Sequence, residues 1–168
     1  MSAAAPPGGA RRAGPPTPPE PRRLGPRDPA LPAVLALIRD VFAAHEGRID
    51  PPSSAGRLTL DALSRMEVWA IGEPPEAAVV LTPRADGLHL GKLAVRADRR
   101  REGHARALVE RAAGRARAMG LAALVLQSRV ELAEAHRAFE AMGFERTGTT
   151  SHPGFERPTS VTFRRALP

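Results

Sequence analysis

With 168 residues, 42% of them apolar, the chain can fill the core of one domain of ordinary size. It has no cysteine, which excludes disulfides, cysteine-type metal sites and thiol nucleophiles, and no tyrosine, which removes a common proton donor. The net charge of +7 is almost wholly arginine, Lys92 being the single lysine. Anionic partners are therefore favoured, and the position of the charge must decide between nucleic acid and a phosphorylated small molecule.

No apolar run approaches the ~20 residues of a membrane span, and the first residues lack the apolar stretch of a secretory signal. The expectation is a cytoplasmic protein with no membrane partner. Residues 1–20 are mostly Ala, Pro and Gly without apolar periodicity, the composition of a disordered tail. An ordered domain is expected over residues 21–168, opening with a short edge strand near Leu24.

Leu31, Val34, Leu35, Ile38, Val41 and Phe42 repeat at the helical period and predict a helix ending near Ala44 or His45. Residues 46–54 are dense in charge and turn formers. Thr59 is placed to cap a brief second helix through Leu63. Residues 67–71 and 77–81 read as a hairpin, and residues 88–95 as a central strand. Residues 103–119 give the clearest helix: Ala105, Leu108, Val109, Ala112, Ala113 and Ala116 form one apolar stripe, and Gly120 closes it. The continuous apolar run 121–126 fits a buried strand with a parallel neighbour. A last helix carries Leu132, Ala135, Phe139 and Met142 and ends at Gly143; residues 144–150 and 159–164 read as final strands. The fold class is mixed α/β, with a mostly antiparallel central sheet of six to seven strands, a βαβ unit and helices on both faces.

Between the strand ending at Val95 and the long helix lies Arg96-Ala-Asp-Arg-Arg-Arg-Glu-Gly-His-Ala105. A helix N-terminus leaves backbone N–H groups unpaired, and the helix dipole makes them an anion site. Gly103 permits close backbone approach, Ala105 does not block it, and Arg99, Arg100 and Arg101 add charge. A pyrophosphate suits this turn. Duplex nucleic acid suits it less, because the charge gathers at a helix end rather than along a helix face, and aromatic side chains for stacking are scarce.

Here the chain resembles the Gcn5-related N-acetyltransferase (GNAT) family, whose motif Gln/Arg-x-x-Gly-x-Gly/Ala follows a strand and opens a helix. The matching residues are Arg100, Gly103 and Ala105, after Lys92-Leu-Ala-Val95. Phe139-Glu-Ala-Met-Gly143-Phe144 resembles the family's aromatic-x-x-x-Gly-Phe helix ending. The resemblance implies acetyl-CoA as the acyl donor. Its pantetheine amides would pair with the backbone of Leu93, Ala94 and Val95, with a backbone N–H there polarising the thioester carbonyl. Its pyrophosphate would lie on the amides of Arg101, Glu102, Gly103, His104, Ala105 and Arg106, flanked by Arg100. A homodimer is compatible with the resemblance, since dimers are frequent in the family.

Two positions depart from the family pattern. Phe139 stands where many members carry a proton-donating Tyr, and Leu132 where many carry an Asn. Other side chains must then serve. Glu46 in the loop after the first helix, Glu131 before the last helix and His152 between the final strands are the candidate catalytic groups. His89 and Lys92 can face the cleft from the central strand. His136 reads as a surface residue of the last helix, and His104 as a helix-start residue. The expected activity is transfer of an acetyl group from acetyl-CoA to a primary amine of a small molecule or peptide. The alternative is a non-catalytic acyl-CoA-binding sensor, motivated by the two departures.

Overall fold

The structure is a computed structural model and describes residues 20–168. Of the tail expected over residues 1–20, all but Glu20 lies outside the described residues. In chain order the elements begin with β1 (Arg22–Leu24), α1 (Leu31–Ala43), α2 (Leu60–Ser64), β2 (Glu67–Ile71) and β3 (Ala77–Arg84). They continue with β4 (Gly87–Val95), α3 (His104–Ala118), β5 (Ala123–Arg129), α4 (Ala133–Ala141), β6 (Glu145–Thr150) and β7 (Ser160–Ala166). The strands form one seven-stranded sheet in the order β1-β2-β3-β4-β5-β7-β6. Only β4 and β5 run parallel, joined through α3, as a strand–helix–strand crossover requires.

Strand alternation divides the apolar residues between two cores. Val68, Ala70, Ala78 and Val80 face α1 and α2, where they meet Val34, Ile38 and Leu63. Ile71, Ala77, Val79 and Leu81 face the other way, onto Leu108, Val109, Ala112 and Ala116 of α3. Phe163 of β7 is fully buried and stacks against Phe139 of α4 with ring centroids 5.6 Å apart.

The helix ends follow local chemistry. Thr59 Oγ1 accepts the Ala62 N–H at 3.1 Å, the cap expected from the sequence. Gly143 (φ 89°) ends α4: its N–H donates to Glu140 O at 3.0 Å and that of Phe144 to Phe139 O at 3.1 Å. These are the two bonds of a Schellman motif, and the Phe139–Phe144 ring contact completes it. The aromatic-x-x-x-Gly-Phe pattern is thus a helix stop. The same device closes α3, with Leu121 N–H on Ala116 O at 2.9 Å. It holds Leu121 in the cap, so β5 begins at Ala123 instead of 121. β5 then runs on through the polar residues to Arg129 because each pairs with β7, up to Arg129 opposite Ser160.

Across the sheet edge, Glu67 ties β2 to α3. It accepts from Arg115 Nε at 2.7 Å and from Trp69 Nε1 at 3.0 Å, with Arg23 at 4.0 Å. Burial opposes its ionisation, but the hydrogen bonds and charges outweigh burial and hold the carboxyl below its ordinary range. A depressed carboxyl contributes stability above its unfolded pKa and loses it as pH falls through the folded value. Glu67→Gln is expected to cost about 2 kcal/mol at neutral pH. The gap to the parent should shrink below about pH 4, read by urea unfolding followed through the single Trp69.

Candidate active site

β4 and β5 pair only at Leu88–Leu124, His89–Val125 and Leu90–Leu126. The paired end is held tight at Gly87: a Cβ there would lie 2.5 Å from the Ala123 carbonyl oxygen. Beyond Leu90 the strands part. β5 follows β7, while β4 stays on β3, with Ala94 opposite Ala78 and Val95 opposite Ala77. One extra residue enters β4 between Gly91 and Ala94, and Lys92 takes a left-handed φ of 51°. This bulge exchanges the strand's faces. Leu88 and Leu90 join the α3 core before it, Leu93 and Val95 after it, and Ala94 turns to α1. The edge of β4 that faces β5 has no strand partner over residues 91–95.

The parted strands enclose a cleft of about 410 Å³. Phe42 of α1, His45 just past its end, Ser53 and Ser54 of the following loop, Gly91 to Leu93, Gln127 to Arg129, Leu132, Phe139 and His152 line it.

A short 3-10 turn, Ala97–Arg99, leads from β4 toward α3. Arg101 (φ 64°) and Gly103 (φ 84°) are both left-handed, and Gly103 offers no side chain to cap the helix. Among the described residues, no N–H of residues 101–106 donates to a protein acceptor. No atom lies within 4 Å of a Cβ built on Gly103. Arg100 and Arg101 have no carboxylate within ion-pair distance among the described residues, whereas Arg99 lies between Glu76 (3.4 Å) and Glu102 (3.7 Å). His104 is buried as the first residue of α3, its Nε2 2.9 Å from Glu76 Oε2. Glu76 lies well placed for this: the His104 hydrogen bond and then Arg99 hold its carboxyl below the usual range despite partial desolvation. Of the two acids within the turn, Asp98 is paired with Arg96 at 2.6 Å and Glu102 is offset by Arg99, and the face of free N–H groups carries net positive potential.

The structure separates the three sequence-expected catalytic groups. His152 lines the cleft; its backbone N–H donates to Thr159 Oγ1 at 2.9 Å and its Nδ1 contacts the same oxygen. Burial, then the charge of Arg129, pushes its imidazole below the ordinary value. Glu131 sits half-buried beside the cleft, 3.6 Å from Arg157, with Oε2 buried and unpartnered. Glu46 is exposed and is not part of the lining. The cofactor positions are divided too. Leu93 reaches the cleft, Ala94 and Val95 continue the free β4 edge, and Arg100, Arg101, Glu102, Gly103, His104, Ala105 and Arg106 form the α3 mouth.

His89 and Lys92 both line the cleft, as the sequence suggested. His89 Nε2 lies 2.7 Å from Asp86 Oδ1. His136 is not a surface residue: it is 3% exposed, its Nε2 is bonded to Arg129 O at 2.9 Å, and its ring packs on Phe163. The helical period of α4 itself puts it on the buried face, four residues after Leu132 and three before Phe139, where the end of β5 supplies its hydrogen-bond partner. Sequence reasoning missed His45 and Arg129. His45 lies just past the end of α1 with Nδ1 buried and unpartnered, and burial and then Arg48 push its imidazole down. A histidine at a helix end before a charged loop was the only available signal. Arg129 lies beyond the apolar run of β5, where no periodic signal reaches.

Solved structures share this architecture. An acetyltransferase from Streptococcus agalactiae 2603 aligns with 88% of this chain and 98% of its own, at 18% identity and a TM-score of 0.70. The ribosomal-protein-S18-alanine N-acetyltransferase from Escherichia coli aligns over 88% of this chain and 94% of its own, at 20% identity and a TM-score of 0.60. A protein from Bacillus anthracis str. Ames, described as a streptothricin acetyltransferase and solved in complex with acetyl coenzyme A, aligns over 61% of this chain and 62% of its own, at 13% identity and a TM-score of 0.56. No curated protein sequence matches the chain. The fold is that of the acyl-CoA N-acyltransferases. The sequence profile of the acetyltransferase (GNAT) family matches residues 64–144, from the end of α2 to Phe144, and over that stretch the chain is similar to the family's domain.

Proposed function

We propose that this protein transfers an acetyl group from acetyl-CoA to a primary amine. The observation that carries the reading is the juxtaposition of an unpaired β4 edge, opening into a cleft, with a bare helix N-terminus at the next turn. A thioester supplies an activated acyl carbon. The N–H groups of residues 101–106 would hold the pyrophosphate, with Arg100 and Arg101 adding charge. Leu93, Ala94 and Val95 would pair with the pantetheine arm, and a backbone N–H of that edge would receive the charge that develops on the carbonyl oxygen.

An ammonium group has no lone pair, so the acceptor must arrive neutral or lose a proton in the cleft. His152 is the group we assign to that task. Its Nδ1 side is fixed on Thr159, which leaves Nε2 unengaged among the described residues. With its pKa below the ordinary imidazole value, it is neutral at neutral pH. As the new C–N bond forms and the C–S bond breaks, His152 takes the proton the amine gives up. The departing thiolate gains a proton from solvent, since Phe139 has none to give.

The sign of the pH dependence follows. kcat/KM should rise with pH through a group titrating below about 6.5 and then level off. His152→Ala should lower kcat about 100-fold and flatten that acid limb. An acid limb centred above pH 7, or one unchanged in the variant, would sink the assignment. The overall reading is tested by thermal stabilisation with acetyl-CoA and CoA, followed by thiol release over an amine panel. No stabilisation by either removes it, and stabilisation with no turnover on any amine replaces it with a binding role.

A further inference from the structure

The cleft between β4 and β5 is lined by the cations Arg84, Lys92 and Arg129 and by His45, His89 and His152, and among the described residues no Asp or Glu lines it. Lys92 Nζ donates to Ser54 Oγ at 2.7 Å and lies 5.5 Å from the Phe42 ring centre. Neither neighbour is anionic. Arg129 donates to the carbonyl oxygens of Pro51 (2.6 Å) and Pro52 (3.2 Å), and neither Lys92 nor Arg129 has a carboxylate within 4.0 Å among the described residues. Both are half-buried.

A partly buried cation without a counter-ion is costly, and here two of them face the same space close enough to repel. Burial and then the charge of Arg129 make Lys92 easier to deprotonate, while burial does the same to Arg129 against the weak opposing pull of Glu131 and Asp50. The β4 bulge is what directs Lys92 here, since its left-handed backbone breaks the alternation of the strand. Such an arrangement is poised for an anion that the protein does not itself supply. The phosphates of the donor belong at the α3 mouth, and a pantetheine arm carries no charge.

We infer that Lys92 and Arg129 form a carboxylate subsite, so that the acceptor is an amine bearing a nearby carboxylate, of the amino-acid class. This rests on the transferase reading above. Polycationic amines are disfavoured by the same side chains, because no acidic group in the cleft can neutralise them.

The test compares amino acids with their carboxamides as acceptors of acetyl-CoA. It also compares N-acetyl amino acids with their N-acetyl amides as ligands in thermal shift, which needs no turnover. Carboxylates should outperform carboxamides roughly tenfold in kcat/KM, and only they should stabilise the protein. Lys92→Met and Arg129→Gln should each bring that ratio close to one, with stabilisation by CoA retained. Carboxamides or polyamines used equally well, or a ratio unmoved in both variants, would overturn the subsite. A further arm offers succinyl-CoA with an uncharged amine. If this pair outperforms acetyl-CoA with amino acids, the carboxylate belongs to the acyl group and the acceptor assignment fails. Absence of stabilisation by acetyl-CoA would fail the transferase reading instead, leaving the thermal-shift comparison to decide the subsite alone.

Discussion

Gly103→Glu should abolish binding of acetyl-CoA and CoA, with affinity falling about 100-fold or more, measured by calorimetric titration. Three effects act together. The substitution places a carboxylate among free N–H groups, it fills space that no protein atom occupies, and it forces a non-glycine residue to φ 84°. The last of these acts on folding as well, at about 1 kcal/mol. Gly103→Ala isolates it, because an Ala Cβ meets nothing within 4 Å. The Ala variant should fold, lose little stability and keep most of its affinity. If Gly103→Glu binds CoA as well as the parent, the phosphate site is elsewhere.

Gly87→Ala should be the most damaging Gly→Ala change among the described glycines. Gly87 has φ 147°, and its Cβ would sit 2.5 Å from Ala123 O and 3.3 Å from Val125 Cγ2. The obstacle is backbone, so no rotamer relieves it. Strain and overpacking together predict a loss of about 3 kcal/mol, seen as an earlier midpoint in urea unfolding. The paired end of β4 and β5 would be pushed apart, and the cleft would lose the hinge point that sets its angle. Stability within 0.5 kcal/mol of the parent, a typical surface value, would show that the strands adjust freely.

Much of the fold was legible because the periodic signals were long and well punctuated. The stripe of α3, the glycines at 120 and 143 and the apolar strands place the βαβ unit and both helix stops. What escaped was set by neighbours. β5 starts late because a cap consumes Leu121, and ends late because β7 pairs with its polar residues. The β4 bulge is visible only in retrospect: Leu88 and Leu90 are two apart, but Leu93 follows Leu90 by three, and Gly91-Lys92 hides the step. For the site, the bare helix mouth with its flanking arginines was readable from local chemistry alone. The acceptor side was not, since His45, Lys92, Arg129 and His152 come from four separate stretches that only the tertiary structure brings together. Glu46 looked attractive because its loop is dense in charge, yet in the fold the adjacent His45 reaches the cleft and Glu46 faces solvent.

The loops flanking the acceptor side are fastened to each other. Arg157 holds Asp50 at 3.3 Å and Glu131 at 3.6 Å, joining the segment after α1, the segment after β5 and the segment after β6 at one guanidinium. Under the proposed reading, in which these segments choose the acceptor, a change of acceptor is expected to involve them together. Shortening or recharging one segment strands the partners held by the other two, so new specificities should arise through compensated sets of substitutions more readily than one at a time.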